Sequence, residues 1–219
     1  MIVPPEGLIL NVCKPQGITS FGVVRKIKHA LSVKKVGHAG TLDPMAEGVL
    51  IVMVGKATKR AVEFESLTKE YDALIRLGIS TDTYDITGNI LSERDCSHIS
   101  EDTINSALRD FIGEIEQIPP MYSALKIDGR KLYKLARQGI ELERKPRRIK
   151  IDHIGLTDFN LPCFRIEVTC SKGTYIRSIA HDLGEKLGCG ACLQELKRTA
   201  IGDFRIEDSL KLDEIYLDQ

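Results

Sequence analysis

The chain has 219 residues, 42% of them hydrophobic and 28% charged, with 31 Lys and Arg against 31 Asp and Glu. That length suits one large domain or two small ones and lets a fold bury roughly 70% of its unfolded surface. Val49 to Val54, its longest uncharged apolar run, is far too short to span a bilayer, and no export signal opens the sequence.

Six scattered cysteines without a small-domain disulfide spacing indicate a reduced, cytoplasmic protein. The neutral total conceals a division of charge. Residues 1–60 carry nine Lys/Arg against three Asp/Glu, residues 61–129 five against fourteen, and residues 130–150 nine against two. A polyanion responds to the local field and not to the total. Charge alone does not choose between one polarised surface and separately solvated faces.

Taken in order, Gly7 to Val12 reads as a buried strand, ended by Lys14-Pro15-Gln16-Gly17. Thr19 and Ser20 offer caps for a helix with Val23, Val24, Ile27, Ala30 and Leu31 at helical spacing and Arg25, Lys26 and Lys28 opposite. Residues 37–48 form a polar, glycine-rich loop, followed by a strand at Val49–Val54. Gly55-Lys56-Ala57-Thr58 lacks the earlier glycine and the hydroxyl of a phosphate loop. A helix is predicted from Lys56 to Leu67, then an alternating strand from Lys69 to Leu77 that begins with Tyr71 on its apolar face.

Residues 80–88 are dense in turn formers, and Ser100 caps a helix with Glu101 and Asp102 in its first turn. Pro119-Pro120 breaks the chain. Residues 126–150 combine a basic helix, Lys131 to Gln138, with the run Arg144-Lys145-Pro146-Arg147-Arg148; so few apolar residues predict a projecting arm that meets a polyanion. Paired strands at Ile149–Ile154 and Cys163–Thr169 precede a helix from Ser171 through Leu187, with Tyr175 and Arg177 in its first turn. An arginine there opposes the helix dipole, so a buried or functional anion would give it a reason. Cys189-Gly190-Ala191-Cys192 has no second ligand pair after it and reads as structural. Without regular βαβ alternation, the expected class is α+β: a mixed, largely antiparallel sheet flanked by helices.

The segment Gly37-His38-Ala39-Gly40-Thr41-Leu42-Asp43-Pro44-Met45-Ala46-Glu47-Gly48 organises the chain. A loop between buried elements can hold a reactive carboxylate on a rigid base. By itself, however, Asp-Pro is ordinary turn chemistry.

Seven motifs in order settle which family the chain resembles. They are Asn11 to Ser20, Gly37 to Gly48, Lys69-Glu70-Tyr71, Thr81 to Asp85, Pro119 to Ala124, Ser171 to Arg177 and Leu196-Lys197-Arg198. Together they resemble the TruB family of tRNA pseudouridine synthases over nearly the whole chain. The resemblance implies a pseudouridine-synthase-like fold, an isomerase acting on the T-loop uridine at position 55 of tRNA, and no cofactor or metal. Asp43 then matches the catalytic aspartate, and Arg177 the arginine that pairs with it. His38 matches a histidine that fills space near the flipped nucleotide, Tyr71 the aromatic that stacks on uracil, and Tyr175 and Leu196 further pocket residues. Asp85 and Lys14 have supporting roles. The arm, about residues 126–148, would clamp the T-arm through Arg130, Lys131, Lys134, Arg137, Arg147 and Arg148.

The resemblance further implies a cytoplasmic monomer that needs no protein partner and no membrane. Residues 1–219 are expected to form a single catalytic domain. The family's C-terminal RNA-binding PUA domain is expected to be absent, because about sixteen residues follow Asp203. Two other readings compete: a tRNA-folding chaperone that binds the T-arm with catalysis secondary, and a nucleoside glycosidase that would release free uracil.

Overall fold

The structure is a computed structural model that describes residues 3–127 and 129–216. Its first strand, β1 (Leu8–Lys14), alternates as the sequence does and buries Leu10, Val12 and Lys14. Helix α1 (Ser20–Ala30) starts where Thr19 Oγ1 accepts the Gly22 amide at 2.9 Å, an N-cap contribution of about 1 kcal/mol. Next come β2 (Val36–Ala39) and β3 (Glu47–Val54), so the glycine-rich loop proper shrinks to residues 40–46.

The apolar run of β3 follows from burial on both faces. Leu50, Val52 and Val54 pack with Leu10 and Val12 of β1 and Val23, Ile27 and Ala30 of α1. The alternate residues Val49, Ile51 and Met53 pack in a second cluster with Ala39, Phe64 and Ile201.

The helix predicted for 56–67 divides into a 3-10 segment (Gly55–Arg60) and α2 (Ala61–Ser66). Strand β4 (Lys69–Leu77) alternates as expected; the turn-rich segment after it is spanned by the short pair β5 (Ile79–Thr81) and β6 (Ile90–Glu93). Helix α3 (Glu101–Arg109) is capped by Ser100, whose Oγ accepts the Thr103 amide at 3.2 Å. Strand β7 (Gly113–Gln117) precedes the small hairpin of β8 (Lys126–Ile127) and β9 (Arg130–Lys131), and then α4 (Leu132–Ala136). Long β10 (Arg147–Asn160), β11 (Cys163–Cys170), α5 (Ile176–Lys186) and β12 (Ala191–Ile201) follow. The chain closes with β13 (Phe204–Arg205), β14 (Leu210–Lys211) and a 3-10 turn (Glu214–Tyr216).

The main sheet runs β14-β1-β3-β12-β4-β11-β10-β7, with β2 and β13 paired beside that path. It is mixed: β1 and β2 are antiparallel to β3, whereas β12 runs parallel to β3 and β14 parallel to β1. The class is α+β, as the residue pattern predicts. Two compact units emerge. The first comprises Met1–Asp72, Thr169–Lys172 and Glu195–Gln219; the second comprises Ala73–Val168 and Gly173–Gln194. None of the helices among the described residues is long and apolar enough to cross a membrane.

Several elements depart from the sequence reading. Strand β12 is absent from it, because Gln194, Glu195, Lys197 and Arg198 interrupt the apolar pattern. In the fold Arg198 is nonetheless 1% exposed. Helix α5 begins at Ile176 rather than at Ser171, and Arg177 is buried. The basic segment is better anchored than its composition suggests: Leu132 and Leu135 pack with Met121, and Leu125, Ile127 and Leu142 close around them. Arg147 and Arg148 are not on a free arm. They open β10, in register with Gln117 and Glu116 of β7.

Candidate active site

In the first unit, the loop carrying Asp43 is held by its backbone on both sides. Before Asp43, the Ser20 hydroxyl accepts the Leu42 amide at 2.9 Å and donates to the Leu42 carbonyl at 3.0 Å. After it, the Pro44 carbonyl accepts the Gly17 amide at 2.8 Å and the Lys14 ammonium at 3.4 Å. The Asp43 carbonyl itself accepts the Ala46 amide at 3.1 Å, closing the turn that Asp-Pro chemistry predicts. Turn chemistry and a fixed backbone at Asp43 are thus one arrangement.

Arg198, on β12, braces the same loop. Its guanidinium donates to the carbonyls of Gly40 (2.9 Å), Thr41 (3.4 Å) and Val49 (2.8 Å), bracketing Asp43 in the chain. Removing it would orphan buried carbonyls at about 1–3 kcal/mol each. Gly48 lies opposite Arg198 in the β3–β12 ladder at φ +113°, and a Cβ there would stand 2.2 Å from the Arg198 carbonyl oxygen.

Lys14, fully buried at the end of β1, donates to the carbonyls of Pro15 and Ile18 as well as Pro44. Burial pushes its ammonium down to about 8, while the Asp43 carboxylate pulls the other way. Lys69 is buried too, donating to the Glu65 and Leu67 carbonyls, and burial likewise pushes it down to about 8. Three cations, Lys14, Lys69 and Arg198, are therefore buried within this unit. Tyr71 is 9% exposed, with its phenol pushed up by burial. Leu196 is buried on β12. His38 pairs with Val52 across β2 and β3; burial, reinforced by Arg198, lowers its pKa and keeps the ring neutral near pH 7.

In the second unit, Arg177 begins α5 and is 4% exposed. It donates to the Thr83 and Tyr122 carbonyls, both at 2.9 Å, and lies 3.6 Å from the Asp85 carboxylate. This buried anion is the reason the sequence demanded for an arginine at a helix start. Asp85 is positioned in turn by the Thr83 hydroxyl at 2.9 Å and by the Thr87 amide and hydroxyl at 3.0 and 2.5 Å. Gln117 grips Tyr175 with both ends of its amide, accepting the backbone N–H at 2.8 Å and donating to the carbonyl at 3.0 Å.

The fold thus brings Asp43, Lys14, His38, Tyr71 and Leu196 into one unit and Arg177, Asp85 and Tyr175 into the other. In the basic segment of the second unit, Arg130, Lys134 and Arg137 are exposed and Lys131 is partly so. Lys131 and Arg137 flank the Tyr133 ring at 5.7 and 5.5 Å, and a cavity of about 490 Å³ lies among Lys126, Arg130, Lys131, Tyr133 and Lys134. Ser20, Gln117 and Thr83 carry no site signal in the sequence. Their roles rest on backbone contacts that no motif spacing displays. Arg198 was visible in a motif, but its burial was not.

The family model described as TruB family pseudouridylate synthase (N terminal domain) matches residues 28–176, and that for the tRNA pseudouridylate synthase B C-terminal domain matches residues 177–218. A tRNA pseudouridine synthase B of Clostridium tetani is 53% identical over 94% of this chain and 72% of its own length. One from Phocaeicola vulgatus is 49% identical over 98% of this chain and 94% of its own. Among solved structures, a chain of a Cbf5-Nop10-Gar1 complex superposes with a TM-score of 0.74 at 34% identity, covering 95% of this chain; this chain spans 53% of that one.

Proposed function

The chain belongs to the TruB family of pseudouridylate synthases, isomerases that convert uridine to pseudouridine in tRNA, and on that premise we propose that it acts on the T-loop uridine at position 55 with Asp43 as its catalytic residue. The observation that carries this reading is the fixation of the Asp43 loop by Ser20, Lys14, Gly17 and Arg198. A carboxylate held still at a flipped nucleotide avoids reorganisation as bonds change.

The reaction breaks the N1–C1′ bond, turns the uracil and rejoins it through C5. C5 loses its proton and N1 regains one, so neither redox change nor energy input is required. Flipping the uridine costs a few kcal/mol, and stacking on Tyr71 returns about 1–3 kcal/mol. Leu196 contacts the uracil, and His38 occupies space near the flipped nucleotide. Within the second unit, the Asp85 carboxylate holds the Arg177 guanidinium in its orientation. Arg130, Lys131, Lys134, Arg137, Arg147 and Arg148 meet T-arm phosphates. The protein works as a cytoplasmic monomer without a protein partner.

The test is tritium release from tRNA carrying 5-³H-uridine. The wild-type protein should release tritium and leave pseudouridine at position 55. Asp43→Asn should bind the tRNA with unchanged Kd and release none. Full activity in that variant overturns the assignment; free uracil in the product would mark a glycosidase instead.

A further inference from the structure

The outward face of α1 carries an aromatic ring and a row of cations that none of the roles above uses. The inward face is Val23, Val24, Ile27 and Ala30, all buried. Opposite them Phe21 is 70% exposed, and Arg25, Lys26, Lys28 and His29 are exposed as well. Phe21, Arg25 and Lys28 stand at i, i+4 and i+7, which aligns them in one stripe along the helix. Lys34 and Lys35, both exposed, continue the charge beyond its end. Between Glu6 and Asp43 the sequence contains no acidic residue.

The stripe also begins at the catalytic loop. Ser20, the residue before Phe21, is the one whose hydroxyl holds both polar groups of the Leu42 backbone. An exposed phenyl ring at that place, followed by cations one and two helical turns on, matches the demands of RNA: a π-face for a base and positive charge for the phosphates. A protein partner would not call for this uninterrupted positive charge, and a duplex contacted only through phosphates would not call for the ring.

We propose that the Phe21–Arg25–Lys28 stripe is a second RNA-contact surface, separate from the basic segment at residues 126–148, in which Phe21 stacks on an unpaired base of the bound tRNA and Arg25 and Lys28 contact its backbone. The inference rests on the reading that tRNA is the substrate handled at Asp43. The two contact types leave different marks. A phosphate contact releases counterions and steepens the salt dependence of binding, whereas ring stacking adds affinity with no counterion release.

The experiment measures Kd for tRNA across a salt series, beside tritium release by the wild-type protein. Phe21→Ala should raise Kd at least about fivefold with no change in the slope of log K against log salt, and Phe21→Tyr should restore binding. Arg25→Gln and Lys28→Gln should each lower that slope by about one. Lys211→Gln, at an exposed position on β14, should change neither quantity. Circular dichroism would show that each variant keeps its helices. Unchanged Kd and slope in the stripe variants overturn the inference, as does an equal loss in Lys211→Gln. If the wild-type protein releases no tritium while the stripe variants still weaken binding, the reading at Asp43 falls and the RNA surface stands.

Discussion

Lys14 shows how a single residue can serve the loop and still weigh on stability. Its ammonium is fully buried, bound to three carbonyls, and pushed down to about 8 by burial. In the unfolded chain the same group titrates near 10.5. Between these values the unfolded state binds more protons than the folded one, so stability rises with pH through the window from about 8 to about 10.5. Below it, the cost of a buried charge is fully present. Urea midpoints of the wild-type protein and Lys14→Met, taken from pH 7.5 to 10, should therefore diverge in favour of the wild type as pH rises. A constant difference would show that the amine does not lose its proton in that range. The motif position of Lys14 was legible in the sequence, but its burial was not, since nothing local distinguishes it from a solvated lysine.

Elements decide where these residues stand. The β3–β12 ladder sets Gly48 against Arg198, which in turn braces Gly40, Thr41 and Val49 around Asp43. Gly48 has both a left-handed φ of +113° and no room for a Cβ. Gly48→Ala should cost about 3 kcal/mol or more, from backbone strain of about 1–3 kcal/mol together with the displacement of β12. Chemical denaturation would measure it, and the tritium assay should fall with it as Arg198 shifts. An alanine variant as stable as the wild type would show that the ladder yields at no cost. Local pattern predicted β1, β3, β4 and the two capped helices because each buries a regular face. It missed β12, whose polar residues are satisfied only by partners distant in sequence.

For the whole molecule, zero net charge is a poor guide to its ligand. Nine basic residues stand in the first sixty and nine more between 130 and 150, and Arg130, Lys134 and Arg137 are exposed. Replacing all three by glutamine should weaken tRNA binding and flatten its salt slope by about two to three. Filter binding across a salt series checks this, and an unchanged slope would remove the segment from the RNA contact. Sequence by itself determined the family and the mixed α+β class, because motif order and apolar periodicity are properties of the chain. Only the tertiary structure showed that Lys14, Lys69 and Arg198 are buried cations, that Ser20 and Arg198 fix the Asp43 loop, and that Arg177 meets Asp85. Those facts depend on which distant backbone carbonyls and carboxylates desolvated charges find, and no linear spacing records that.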